Sequence, residues 1–261
     1  MNAPPADRPP RSPRKGYWAL GAMVCGAVLF ALSWNDVLPG GWTLRGWVEP
    51  HASREARVRQ IHSQKRLDLF AGQNRSAPTG SIVFAGSSGI ERFPLARLFP
   101  GAPTQNRGIG DEACGQFMDR LQATRPFAPA AAWVLYLGSL DFRRLNSTPE
   151  EVLQRVERAI EAVRGDRTDL PIALIGILPE QDMPEAMVTR LAQTNAGLAR
   201  LCARMEVAFV DTARAPITQP DGTLSATHAS DKLHLNRKGY DALAGWLLEA
   251  SLPIAKLLQA N

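Results

Sequence analysis

The chain has little of what would hold it together by covalent or metal chemistry. Three cysteines and four histidines occur among 261 residues. Three thiols make no disulfide framework. Cys25 lies inside an apolar run, and the separation of Cys114 and Cys202 matches no known framework. Neither stands at metal-ligand spacing from a histidine, so the pattern implies no zinc site and two buried free thiols. Aromatic residues make up 7% and nowhere interleave with a basic stripe. The net charge of +5 is mild, and Arg8, Arg11, Arg14 and Lys15 carry part of it at one end. Nucleic acid is therefore not an expected partner. No internal repeat is present, and long apolar runs are absent with one exception.

That exception is residues 17–34, which hold no charge. A helix of this length just spans a bilayer core of about 30 Å. Trp18 and Trp34 stand near its ends, and the basic residues precede it, which predicts an N-terminus that stays cytoplasmic. The rival reading, a cleaved signal peptide, lacks a convincing small-x-small site after the run. A buried core helix fits the basic flank and the tryptophan ends poorly. Residues 1–16, rich in proline and arginine, read as a disordered basic tail. Residues 35–65 read as a stalk with Trp42 and Trp47, leading into a charged helix over 52–70. The remaining 66–261 is one domain in size.

Within it, apolar strand-like runs recur at 82–85, 132–137, 172–177 and 207–210, with a weaker candidate at 103–106. Helical periodicity lies between them at 114–123, 149–164, 186–204 and 236–248. Alternation of this kind predicts βαβ units and a parallel sheet. The first run ends in Gly86-Ser87-Ser88-Gly89. The carboxyl end of a buried parallel strand is where ligands bind in such sheets, so a serine there stands at the rim of a cleft. The same position suits a helix N-cap. A hydrolytic serine also needs a base, an orienting acid and an oxyanion hole. Asp231-Lys232-Leu233-His234 offers the first two on one turn. His51, His62 and His228 have no evident partner in sequence and read as surface residues. Asn195 reads as a packing or solvent-facing residue, and Asp211 as a turn or cap.

Four blocks occur in order: Gly86-Ser87-Ser88, Asn106-Arg107-Gly108-Ile109-Gly110, Leu137-Gly138-Ser139-Leu140-Asp141, and Asp231-Lys232-Leu233-His234. Together they resemble the SGNH (GDSL-like) hydrolases, most of all the bacterial branch whose first block reads Gly-Ser-Ser. The resemblance covers roughly residues 66–251. It implies a flavodoxin-like three-layer sandwich with a five-stranded parallel sheet, here with an N-terminal transmembrane helix added. It implies Ser88 as nucleophile, His234 as base and Asp231 as its orienter, with no cofactor and no metal. Substrates would be acyl esters, of lipids or acylated glycans. An anchored member would sit in the inner membrane with its catalytic domain in the periplasm. Backbone N–H groups of Ser88 and of the Gly110-Asp111 block would form the oxyanion hole.

Two positions depart from that pattern. Asp111 stands where the family has a glycine whose N–H faces the oxyanion. Leu140 stands where the family has an asparagine donor. Ser139 should point to the opposite side if the strand continues, and Arg107, Arg143 and Arg144 read first as surface charges, with compensation for the missing donor as the alternative. Two functions follow as expectations: a serine esterase or acyltransferase, or a catalytically impaired binding or assembly module of the cell envelope on the same fold.

Overall fold

A computed structural model describes residues 14–34 and 50–260 of the chain. The basic tail before residue 14 and the stalk at 35–49 lie outside the described residues. The chain divides into two compact units, Met1–Val58 and Arg59–Asn261.

In the first unit the apolar run forms helix α1, Arg14–Trp34. Leu20, Met23, Val24, Val28 and Leu29 are exposed on it. Among the described residues, no helix is long and apolar enough to cross a membrane. Anchoring remains a reading of the sequence.

Helix α2 runs from His51 to Ser76, and its part from Arg59 onward belongs to the second unit. The five strands β1 (Ile82–Gly86), β2 (Thr104–Gly108), β3 (Ala132–Tyr136), β4 (Ile172–Ile175) and β5 (Ala208–Val210) form one parallel sheet, ordered β2-β1-β3-β4-β5. The long helices are α3 (Pro149–Arg164), α4 (Glu185–Arg204), α5 (Arg237–Ala250) and α6 (Leu252–Gln259).

Strand residues alternate between two cores, as a period of two requires. Ile82, Phe84 and Val134 pack with Tyr240, Leu243 and Leu247 of α5 and Ile254 of α6. Val83, Ala85, Trp133 and Leu135 pack on the other face with Val152, Val156 and Ile160 of α3 and Leu198 of α4. Helices on both faces explain why β1 and β3 are apolar throughout. Thr148 starts α3 with a reciprocal capping box to Glu151, and Pro149 fits the first helical position.

Edge strand β2 is the polar exception, and side chains satisfy it. Arg107, read from sequence as a surface charge, is fully buried. Its guanidinium donates to Gln73, Asn74, Gln105 and the Thr124 carbonyl. Burial, then neighbouring Arg66 and Arg120, lower its pKa to about 10. Arg120 makes a buried bidentate pair with Glu112. Cys114 and Cys202 are buried free thiols. Asn195 is buried, and its amide bridges both backbone groups of Ile177 and the Thr212 hydroxyl.

Candidate active site

The first block turns sharply where β1 ends. Gly86 has φ +134, and Ser87 accepts the backbone N–H groups of Ile90 and Glu91, so a one-turn helix begins at Ser88. Ser87 Oγ faces Ser139 Oγ at 3.0 Å in the interior, and Ser88 is the partly open residue of the pair.

The last block is held just as firmly. The Asp231 carboxylate accepts the N–H groups of Leu233 and His234, both at 2.8 Å, which shapes the turn. Ser230 donates to the His234 carbonyl, and Ala229 pairs with Leu235 across a short antiparallel bridge. Asn236 caps α5 and donates to the carbonyls of Thr227 and Ala229. Tyr240 Oη of α5 donates to the Gly89 carbonyl at 3.1 Å, tying this helix to the serine turn.

The two blocks meet. His234 Nε2 lies 3.3 Å from Ser88 Oγ, and His234 Nδ1 lies 2.9 Å from Asp231 Oδ2. The ring is mostly buried, while the Asp231 carboxylate is half exposed. Burial pushes that carboxyl up, but the N–H groups of Leu233 and His234 and the imidazole outweigh it and hold it at about 2. Asp231 therefore stays anionic through any ordinary assay range.

The oxyanion candidates separate. Gly110 N–H donates to Glu91 Oε2 at 2.5 Å, so it is already taken and cannot serve as a free oxyanion donor. Among the described residues, neither Ser88 N–H nor Asp111 N–H has an acceptor. Asp111 adopts φ +57, the left-handed conformation that glycine would take, and aspartate is among the few other residues that tolerate it. Its carboxylate is drawn to Arg144 Nη1 at 3.3 Å. Leu140 is half-buried and brings no donor. With Ala113, Met118 and Leu145 it lines a groove of about 810 Å³. β3 ends at Tyr136 and Ser139 begins a short helix, so its direction follows from that turn and not from a continued strand; its hydroxyl meets Ser87. Asp141 is buried and accepts from Cys114 N–H and Arg155, so it ties the third block to the helix that starts at Cys114 and to α3.

Arg143, read from sequence as a surface charge, is mostly buried and lines the small pocket that holds Ser88 and His234. It donates to the Leu178 carbonyl at 2.8 Å and pairs with Glu180. His62 has a partner after all, the Glu91 carboxylate at 2.9 Å. Among the described residues no cluster of histidine, cysteine and carboxylate groups could hold a metal ion.

A comparison with family profiles matches residues 84–242 to the GDSL-like lipase/acylhydrolase family, which is more than half of the chain. The chain belongs to that family. Solved GDSL-type structures have the same fold. A candidate platelet activating factor from Streptococcus pneumonia is 25% identical with a TM-score of 0.68, over 76% of this chain and 96% of that one. A GDSL-like lipase from Bacteroides thetaiotaomicron is 18% identical with a TM-score of 0.57, over 70% and 96%. A family 3 carbohydrate esterase from Clostridium thermocellum is 16% identical with a TM-score of 0.51, over 69% and 99%. No curated protein matches the chain. Family membership makes this an ester hydrolase fold whose substrates are acyl esters.

Proposed function

We propose that this GDSL-like protein is a serine esterase or acyltransferase that works through Ser88, His234 and Asp231. One observation carries the reading: a single imidazole bridges Ser88 Oγ at 3.3 Å and the Asp231 carboxylate at 2.9 Å. Ser88 Oγ attacks the ester carbonyl carbon as His234 Nε2 takes its proton. Asp231 fixes the tautomer and stabilises the imidazolium. The oxyanion meets the N–H groups of Ser88 and Asp111. The intermediate collapses, and His234 returns the proton to the leaving alcohol. Water then releases the acyl group by the same steps in reverse order, or another hydroxyl accepts it.

Leu140 brings no side-chain donor to the oxyanion, which makes this a slow enzyme. Losing one oxyanion donor costs about 100- to 1,000-fold in kcat. Leu140→Asn should recover part of that, raising kcat on 4-nitrophenyl esters by about 10- to 100-fold. A rise of that size supports the assignment. No turnover by either protein would favour the second reading, a binding module on the same fold. The missing donor at Leu140 and the occupied Gly110 N–H are what favour it.

Residues 17–34 would anchor the chain in the inner membrane, with the hydrolase domain in the periplasm. The support is an uncharged run with positive residues before it. Exposed Leu20, Met23 and Val24 on α1 fit the same reading.

A further inference from the structure

Glu91 sits one turn after Ser88, and its carboxylate is the meeting point of three elements. It accepts Gly110 N–H from the loop after β2. It faces His62 Nε2 of α2, at 2.9 Å from Oε1 and 3.1 Å from Oε2. Arg66 Nε, one turn further along α2, lies 3.7 Å from Oε1. Arg66 also holds the same loop directly. Its Nε donates to the Gly108 carbonyl at 3.0 Å, and its Nη2 donates to Asn106 Oδ1 at 3.2 Å. Asn106 in turn accepts Gly108 N–H and donates to the Ile90 carbonyl. A Cβ placed on Gly110 would lie 3.0 Å from Glu91 Oε2 and 3.8 Å from Ser88 Cβ, so the loop runs against the nucleophile itself.

We infer that Glu91 is a positioning residue for the oxyanion loop, and that His62 and Arg66 of α2 hold it in place. The inference rests on the serine hydrolase reading above. The next residue in the loop, Asp111, keeps φ +57 and offers the N–H that replaces a glycine donor. A non-glycine residue stays left-handed only where its surroundings over-determine it. The Glu91 bond to Gly110 N–H fixes the Ile109–Gly110 peptide, one link before the peptide that carries Asp111 N–H. With it in place, Asp111 N–H stays directed to the carbonyl oxygen on Ser88 rather than turning away. A carboxylate this near the nucleophile would by itself oppose an oxyanion. The Arg66 guanidinium from α2 offsets its charge and His62 shares its oxygens, so it can hold the loop without opposing the reaction. In this protein α2 completes the site, where its sequence reads only as a charged leading helix.

The full chain in detergent is assayed with 4-nitrophenyl acetate, and hydrogen exchange of residues 108–111 is followed in parallel. Glu91→Ala should lower kcat by about 30- to 100-fold with KM changed less than about 3-fold, the signature of lost transition-state stabilisation. It should also speed exchange at 108–111 by about 10-fold or more. Glu91→Gln keeps an acceptor for Gly110 N–H and should recover most of the loss in both readouts. His62→Ala lies on a half-exposed side chain that the fold tolerates, and should lower kcat about 3- to 10-fold in the same direction. Unchanged exchange at 108–111 in both alanine variants would overturn the inference, as would a loss confined to KM. Exchange reads loop positioning whether or not the wild type turns over, so an inactive wild type with accelerated exchange in the variants contradicts the hydrolase assignment and leaves the positioning role standing.

Discussion

Ser88→Ala should abolish ester turnover, lowering kcat by about 10⁵- to 10⁶-fold while leaving the thermal midpoint unchanged within about 2 °C. The size follows from how such a site works. Members of a serine triad act as one unit, and removing the nucleophile alone removes nearly all of their joint effect, about 10⁶-fold where all parts are intact. Here the oxyanion hole lacks the Leu140 donor, so the starting rate is lower and the measurable drop sits at the low end of that range. Stability should barely move. Ser88 is partly open, and the hydroxyl faces His234 Nε2 at 3.3 Å, a contact at the long end for a hydrogen bond. The buried serine of the block is Ser87, paired with Ser139. Ser87→Ala strands the Ser139 hydroxyl and should cost about 1–3 kcal/mol instead. Neighbouring serines thus give opposite outcomes, one kinetic and one structural. A kinetic loss of similar size at both positions, with equal loss of stability, would contradict the division of roles.

Gly86→Ala should damage the fold severely. Gly86 holds φ +134, where side chains are strained. A Cβ there would stand 2.1 Å from the Tyr136 carbonyl oxygen and 2.8 Å from its carbon, both backbone atoms of the neighbouring strand. Neither can swing aside as a flexible side chain would. Backbone strain of about 1–3 kcal/mol and overpacking of about 1–3 kcal/mol add to roughly 2–6 kcal/mol. For a domain of this size that lowers the midpoint by roughly 4–24 °C. Gly245 is the control. It sits in α5 with nothing within 4 Å of an added Cβ, so Gly245→Ala should stabilise by about 0.5–1 kcal/mol. A thermal melt of both variants checks the pair. Equal and small shifts would mean that the turn at Gly86 is not as the structure has it.

Much of the sheet could be read directly from residues. β1 and β3 are buried on both faces, so their sequences are unbroken apolar runs. Helical periodicity over 149–164 matches α3, whose start the structure secures with the capping box of Thr148 and Glu151 and with Pro149. β2 was faint for a physical reason. Its polar residues are satisfied by Arg66, Gln73 and Asn74 of α2, residues some thirty or forty positions away. The same long-range contacts hide Arg107, which no local pattern marks as buried. The expected helix over 114–123 breaks near Arg120, whose guanidinium is drawn to Glu112. Helix α6 is not among the helices expected from the sequence; its Pro253 falls in the first turn, where proline is tolerated.

The residues proposed to react stand in short blocks that the sequence displays, and it does not display the contacts that support them. Ser88, Asp231 and His234 lie in short blocks whose order carries their meaning. The fate of Gly110 N–H was not visible, because Glu91 and His62 come from other elements. Reading Glu91 as a partner would have required knowing that α2 returns to the loop after β2.

The most direct test of the central claim is labelling of the full chain with a fluorophosphonate probe, with Ser88→Ala as control. The probe reacts only with a serine whose proton a neighbouring base can take. The account predicts covalent labelling of the wild type at Ser88 and none in the variant. A folded wild type that stays unlabelled, or a variant that labels equally, would contradict it.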